Sequence, residues 1–437
     1  MTAKDAAAPV DAAAGVRIDK TTLPNGMRIL SERTPGMASA AIGLWVESGS
    51  RYEEAGQNGL SHFLEHLFFK GTERRSAAEI AETIDAVGGV LNADTDREHT
   101  CYYAKVLGEH VPLAVDLLSD IFLASRVAPE EIAREKDVVL EEIAQIEDTP
   151  DDLINDMFHQ AYWPRHALGR PVCGTRETVA GFDHDACRAW IELRHRPDRL
   201  VVAAAGDVEH EALVDEIAKR FGDLSGSAPL AAGEPPVSVP GVTLHRRRLE
   251  QVQLCFGTGG VAVGDPDRDA AMVLNACLGD SPSSRLFQEV RERRGRAYSI
   301  DSFLCSYRDT GYLGITAGTR PRWVAEVVEI VVAELDRIRR EGFSAAEIVR
   351  AKGKLKGMLL LDLETSDQRM ERLALHEMYY GRRITSAELA AQIEEVSNDH
   401  IVALASRLFT SAASALVLLG DVRERELDMN VFGGLRA

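Results

Sequence analysis

The sequence is poor in the features that would staple, anchor or export it. Its six cysteines (Cys101, Cys173, Cys187, Cys255, Cys277 and Cys305) are widely spread and none forms a C-x-x-C pair. That excludes a disulfide frame and a structural metal site built from cysteines, and leaves thiols buried in a reducing compartment. No stretch reaches the ~18 apolar residues of a membrane helix. The first fifteen residues are Ala-rich, include Asp5 and Asp11 and lack a signal peptide's apolar core. Cytoplasmic residence is the expectation, with no membrane association; a periplasmic chain already trimmed of its leader would read the same. Basic charge is also scarce: 50 Lys and Arg against 69 Asp and Glu leave a net charge of -19, which repels nucleic acid and anionic lipid. The run His245 to Arg248 is too short to override it. The acidic excess either favours cationic partners or serves as a solvated surface.

What is present is ordinary globular composition, with 45% apolar and 27% charged residues over 437 positions, enough chain for several buried cores. The stretch Ser225 to Pro240 holds four prolines and two glycines and has no periodicity, so it reads as a linker. The same features recur on either side of it. Glu131, Ile132, Arg134 and Lys136 reappear at an offset of 216 as Glu347, Ile348, Arg350 and Lys352. Gly206-Asp207-Val208 reappears at an offset of 214 as Gly420-Asp421-Val422, which points to a duplication. Strand-like runs (Arg28 to Leu30, Ala38 to Val46, Thr100 to Leu107, Leu200 to Ala205) alternate with helical patterns at Val111 to Ile121, Pro129 to Glu147 and Asp152 to Tyr162. The expected fold class is α+β: two homologous domains, 15–224 and 241–437, joined by 225–240, each a mostly antiparallel sheet with helices packed on one side.

Between Gly59 and Gly71, Leu60, Phe63, Leu64, Leu67 and Phe68 follow helical spacing and form an apolar stripe. His62, Glu65 and His66 lie at i, i+3 and i+4 on the neighbouring stripe. Two imidazoles one turn apart can reach a single ion at ~2.0–2.1 Å, while Glu65 stands beside it, free to take a proton from the hydrolytic water. The competing reading is a pair of core histidines and a surface glutamate. A third ligand is needed for a catalytic zinc, and the helix at 129–147 offers one. Ile132, Glu135, Val139, Glu142, Ile143 and Ile146 share a face, so two carboxylates interrupt an apolar stripe, which is costly unless they meet a cation. Glu141 lies instead with Arg134, Asp137, Gln145 and Asp148. The periodicity therefore selects Glu142, with Glu135 orienting or polarising the site from behind; two solvated glutamates on a twisted helix remain the alternative.

These residues resemble the pitrilysin- and insulysin-type inverzincin metallopeptidases, whose H-x-x-E-H reverses the common zinc-protease motif, and in particular the short processing-peptidase-like members similar to the beta subunit of mitochondrial processing peptidase. The resemblance runs from Gly15 to Val422. It implies a third ligand seventy-six residues beyond the second histidine, which is Glu142, and a further glutamate seven residues earlier, which is Glu135. It also implies that Leu91 to Thr95 is an edge strand to which peptide adds, with Asn92 and Ala93 beside the scissile bond. In the second half it implies that Arg291 and Tyr298 bind substrate and steady the oxyanion. A departure from the family is Gly279-Asp280-Ser281-Pro282-Ser283-Ser284, where a glycine-rich turn is usual. The second half carries no ligand set, Met358 standing at the position equivalent to Glu142.

Together these features predict a zinc-dependent endopeptidase with one Zn2+ per chain, in which Glu65 is the general base and extended or unfolded peptides are hydrolysed in an enclosed chamber. A non-catalytic assembly subunit is the alternative from another class. The chain is about half the length of family members that enclose substrate in one polypeptide, which implies a homodimer, or a heterodimer with a homologous chain.

Overall fold

Short alternating or wholly apolar runs become strands, and stretches with three-to-four spacing become helices. The computed structural model describes residues 15–227, 233–423 and 430–435. The Ala-rich start and residues 228–232 of the expected linker lie outside the described residues. The chain divides into two compact units. The first runs to Ile143 and adds Pro171–Gly233 and Leu361–Thr385; the second comprises Ala144–Arg170, Glu234–Leu360 and the chain from Ser386 onward. Two segments, Ala144–Arg170 and Leu361–Thr385, each belong to the unit built mainly by the other half of the chain.

The first unit holds six strands: β1 (Arg17–Thr22), β2 (Arg28–Arg33), β3 (Ser39–Val46), β4 (Val90–Thr95), β5 (Thr100–Leu107) and β6 (Leu200–Gly206). Their order is β1-β2-β6-β3-β5-β4, and every neighbouring pair is antiparallel except β2 with β6. Successive side chains of a strand point to opposite faces, so Val202 and Ala204 of β6 enter one core while Val201, Ala203 and Ala205 enter another. The first of these cores receives the apolar faces of α1 (Leu60–Phe68), α2 (Ala77–Asp85), α3 (Val111–Leu123) and α4 (Pro129–Asp148), together with α6 (Arg176–Gly181), α7 (His184–Arg194) and α8 (His210–Phe221).

The second unit holds β7 (Gly241–Arg246), β8 (Val252–Gly259), β9 (Ala297–Ser306), β10 (Gly311–Thr319) and β11 (Ala415–Gly420) in the order β7-β11-β8-β10-β9, with β7 and β11 its one parallel pair among the described residues. This is the order β2-β6-β3-β5-β4 over again, parallel pair included, which is the structural counterpart of the sequence repeat. Its main core is formed with α9 (Arg268–Leu278), α10 (Val324–Glu341), α11 (Ala345–Leu361), α13 (Ser386–Glu395) and α14 (Asn398–Leu408).

Most helices pack on one face of each sheet, as the sequence leads one to expect. Among the described residues, the opposite face of the first sheet carries one helix from the other half of the chain: α12 (Ser366–Tyr380) sets Met370, Leu373, Ala374 and Met378 on Trp45, Val201 and Ala203. In the same way α5 (Pro150–Tyr162) sets Ile154, Phe158 and Tyr162 on Cys255, Val417 and Leu419. A glycine makes room for the large ring in each case. A Cβ on Gly43 would lie 2.3 Å from Trp45 Cζ3, and one on Gly257 would lie 2.0 Å from Phe158 Cζ. Trp45 and Phe158 are almost fully buried, and a ring so placed contributes roughly 2–3 kcal/mol through the apolar area removed from water. No helix among the described residues is long and apolar enough to cross a membrane.

Candidate metal centre

α1 begins at Gly59, whose φ of 95° is open to glycine at little strain, and its first turn is held by a side chain from outside the helix. The Glu53 carboxylate, 4% exposed, accepts from Gly59 N and from Ser61 N, both at 2.7 Å. It thereby satisfies amides that the helix cannot bond itself and places a negative charge at the positive end of the helix dipole. Burial pushes the Glu53 carboxyl above its ordinary value even though these bonds oppose the shift. With Leu60, Phe63, Leu64, Leu67 and Phe68 at 0–1% exposure, α1 has no freedom to roll, and His62, Glu65 and His66 share its other face.

α4 lies across from this face and carries Glu142 and Glu135. Glu142 Oε1 is 3.5 Å from His62 Nε2 and its Oε2 is 3.6 Å from His66 Nε2. Both separations exceed the ~3.2 Å of an N–H···O hydrogen bond. They lie closer to the ~3.3–3.4 Å between two donors that share one tetrahedral ion at ~2.0–2.1 Å from each. Cys173 completes a second grouping: its Sγ is 3.8 Å from Glu142 Oε1, and donor atoms of His62, Glu142 and Cys173 all lie within 4.8 Å of one another. The donor chemistry, imidazole with carboxylate and a thiol at hand, suits a zinc-like ion and not a hard alkaline-earth cation. Behind His66, its Nδ1 is 3.2 Å from Glu135 Oε2, and Lys70 Nζ is 2.8 Å from Glu135 Oε1. A carboxylate only 3% exposed is thus paired with one ammonium and hydrogen-bonded to one imidazole.

The electrostatics follow from this crowding. Burial works against a charged His62, but the close carboxylate of Glu142 outweighs it and the imidazole titrates above its ordinary value. His66 is moved the other way by burial and by His62 itself. His62 Nδ1 is buried without a hydrogen-bond partner, and so is Glu65 Oε2. Burial, with Asp94 and Glu142 nearby, raises the Glu65 carboxyl above its ordinary value against the opposing contact with Thr95.

Asn92 and Ala93 stand on β4, which is one of the two edge strands of its sheet among the described residues. Ala93 N donates to Asn92 Oδ1 at 2.9 Å, so an edge amide is occupied by a neighbouring side chain. Arg291 and Tyr298 belong to the second unit. Arg291 lies in a π-helical turn, Phe287–Arg293, and its guanidinium lies 4.6 Å from the Phe287 ring centre and 5.3 Å from that of Tyr298, which is 77% exposed on edge strand β9. The loop that departs from the family is tied down, with Lys354 Nζ 2.8 Å from Asp280 Oδ2 and Gln288 Nε2 donating to Pro282 O at 2.7 Å. Sequence reasoning grouped His62, His66, Glu142 and Glu135, which the structure brings together, and passed over Cys173, which has no periodic relation to any of them.

The chain is similar to known proteins over most of its length. Residues 28–176 match the family described as insulinase, peptidase family M16, and residues 181–355 match the peptidase M16 inactive domain. A zinc protease of Mycobacterium tuberculosis is 43% identical over 94% of this chain and 95% of its own. A zinc protease of Bacillus subtilis is 40% identical over 90% and 96%. The probable mitochondrial-processing peptidase subunit beta of Arabidopsis thaliana is 33% identical over 92% and 78%. In fold, the chain matches the crystal structure of a protease from Helicobacter pylori with a TM-score of 0.87 over 93% of this chain and 99% of that one, at 22% identity.

Proposed function

The chain belongs to the insulinase family of peptidases, family M16, and from that membership we propose that it is a zinc-dependent endopeptidase acting on extended or unfolded peptides, with His62, His66 and Glu142 holding one ion per chain. The observation that carries the reading is the placement of two imidazole nitrogens 3.5 and 3.6 Å from the two oxygens of one carboxylate, longer than a good hydrogen bond and close to the spacing of donors that share an ion. A zinc bound there supplies a Lewis acid that polarises a carbonyl and lets water ionise near pH 7.

The chain's own residues do the rest. Glu65 accepts the proton of the attacking water at Oε2, its unpartnered and buried oxygen, and returns it to the leaving amine; burial makes it a better base than an exposed carboxylate. Glu135 fixes the His66 ring through Nδ1 and is itself neutralised by Lys70. A peptide adds as a strand to the free edge of β4, its carbonyl taking the Ala93 amide that Asn92 now occupies. Arg291 and Tyr298 are donors for substrate and oxyanion, presented from a second chain in a homodimer, or in a heterodimer with a homologous chain, that encloses a chamber.

The test is Glu65→Gln. All three ligands remain, so zinc measured by elemental analysis stays at one per chain, while cleavage of a mixed peptide library falls by roughly 10²- to 10⁴-fold. Undiminished cleavage by a preparation free of other proteases would refute the assignment of the base, and a wild-type protein that binds no zinc would refute the metal site.

A further inference from the structure

The mechanism above leaves one donor at the site without a role. Cys173 follows Val172 in a loop that the fold presses against the start of α1. The loop is held there by Asn58, whose Nδ2 donates to Pro171 O at 2.9 Å, and by two glycines in the left-handed region that let the backbones touch. A Cβ on Gly59 would lie 2.7 Å from both Cys173 O and Gly174 Cα, and one on Gly174 would lie 2.5 Å from Asn58 O. The thiol is therefore positioned by the same backbone contact that begins the helix bearing His62 and His66. Its Sγ donates a hydrogen bond to Glu142 Oε1 at 3.8 Å, a separation close to the ~3.5 Å expected for a sulfur at ~2.3 Å and an oxygen at ~2.0 Å from one tetrahedral ion. A second observation points the same way. His62, 8% exposed, contributes a donor atom that lies within 4.8 Å of donor atoms of both Glu142 and Cys173.

We infer that Cys173 is a fourth protein donor to the metal, a thiolate that would hold the position required by the hydrolytic water and, on regaining a proton from solvent, would yield it to water. The inference rests on the metal reading of His62, His66 and Glu142 given above. Sulfur binds the ion after losing its proton to solvent, and no redox change is involved. A site closed by two imidazoles, a carboxylate and a thiolate has the four protein ligands of a structural zinc site; one that exchanges its thiolate for water has the three of a catalytic one. The same sulfur biases the site toward thiophilic ions.

Cobalt(II) tests this in the full chain, because a thiolate ligand adds an intense near-ultraviolet charge-transfer band to the weak visible bands of the metal. Wild-type protein loaded with one cobalt should show that band, and Cys173→Ser and Cys173→Ala, each confirmed to hold cobalt, should lose it. In parallel, alkylation of Cys173 by iodoacetamide, mapped by mass spectrometry, should slow by roughly tenfold or more when zinc is bound. Cobalt bound without the sulfur band in the wild type, or a band that persists in both variants, overturns the thiolate ligand while leaving the metal site standing. Failure of the wild type to bind cobalt or zinc at all overturns both.

Discussion

Glu135→Gln isolates what one buried charge contributes to a metal site it does not itself ligate. The substitution keeps shape and keeps an oxygen to accept from His66 Nδ1, now 3.2 Å away, but removes the charge from that bond and from the contact with Lys70 at 2.8 Å. A hydrogen bond to a charged group contributes about 1.5–3 kcal/mol against about 0.5–1.5 for a neutral one, so the difference is about 1–2 kcal/mol. At about 1.4 kcal/mol per tenfold, this weakens zinc binding by roughly 5- to 30-fold. Loss of an outer hydrogen-bonding partner elsewhere weakens metal binding by about 10- to 100-fold. The two ranges overlap near tenfold to thirtyfold. The metal-free fold should change much less: the Lys70 side chain is 35% exposed and can turn to water, and a pair screened to that degree contributes under about 1 kcal/mol. Zinc affinity is read by competition with a chelating dye, and metal-free stability by urea unfolding. An affinity within twofold of wild type would refute the reasoning, as would a metal-free destabilisation large enough to account for the whole loss.

Three further outcomes follow from particular contacts. Gly59→Ala should destabilise the first unit by about 2–5 kcal/mol, from a left-handed φ of 95° that costs a side chain about 1–2 kcal/mol and from a Cβ 2.7 Å from Cys173 O and Gly174 Cα that adds about 1–3. Gly56→Ala, whose Cβ would meet nothing within 4 Å, should change unfolding by under about 1 kcal/mol, and equal effects would refute the role of the backbone contact. In the second unit, burial pushes the Glu347 carboxyl up. The paired bonds from Arg285 Nε and Nη2, both 3.0 Å, and those from Ser344 overcome it and bring the carboxyl down to about 2. A depressed carboxyl contributes stability present above its unfolded value of 4.5 and lost as pH falls toward about 2, here roughly 2 kcal/mol after allowing for partial exposure; Glu347→Gln should lose less stability across that window, and a parallel pH profile would contradict the assignment. Finally, inactive Glu65→Gln and Tyr298→Phe chains, mixed after subunit exchange is demonstrated, should recover part of the activity if the site is completed by a second chain; heterodimers proven by mass but still inactive would exclude it.

The parts of this architecture that can be read from the sequence are those whose signal is local. The 3.6-residue period of α1 puts Leu60, Phe63, Leu64, Leu67 and Phe68 inside, and all five are buried; the same period on α4 separates Glu142, which reaches both imidazoles, from the exposed Glu141 one residue away. β4 carries no such signal, since Asn92-Ala93-Asp94-Thr95 is polar and reads alone as a turn; it becomes a strand through pairing with β5. The placement of α5 and α12 is not legible either, because an amphipathic pattern states which face is buried and not against which sheet. A weaker sign is nonetheless present. β6 and β11 are apolar at every position instead of alternating, as strands covered on both faces must be, and each therefore demands a second layer that its own half does not supply. Cys173 lies furthest beyond local reading. Its approach to His62 and Glu142 depends on Gly59 and Gly174 bringing distant backbones into contact, so it is the tertiary fold, and no spacing along the chain, that decides whether this thiol is a buried core residue or a metal donor.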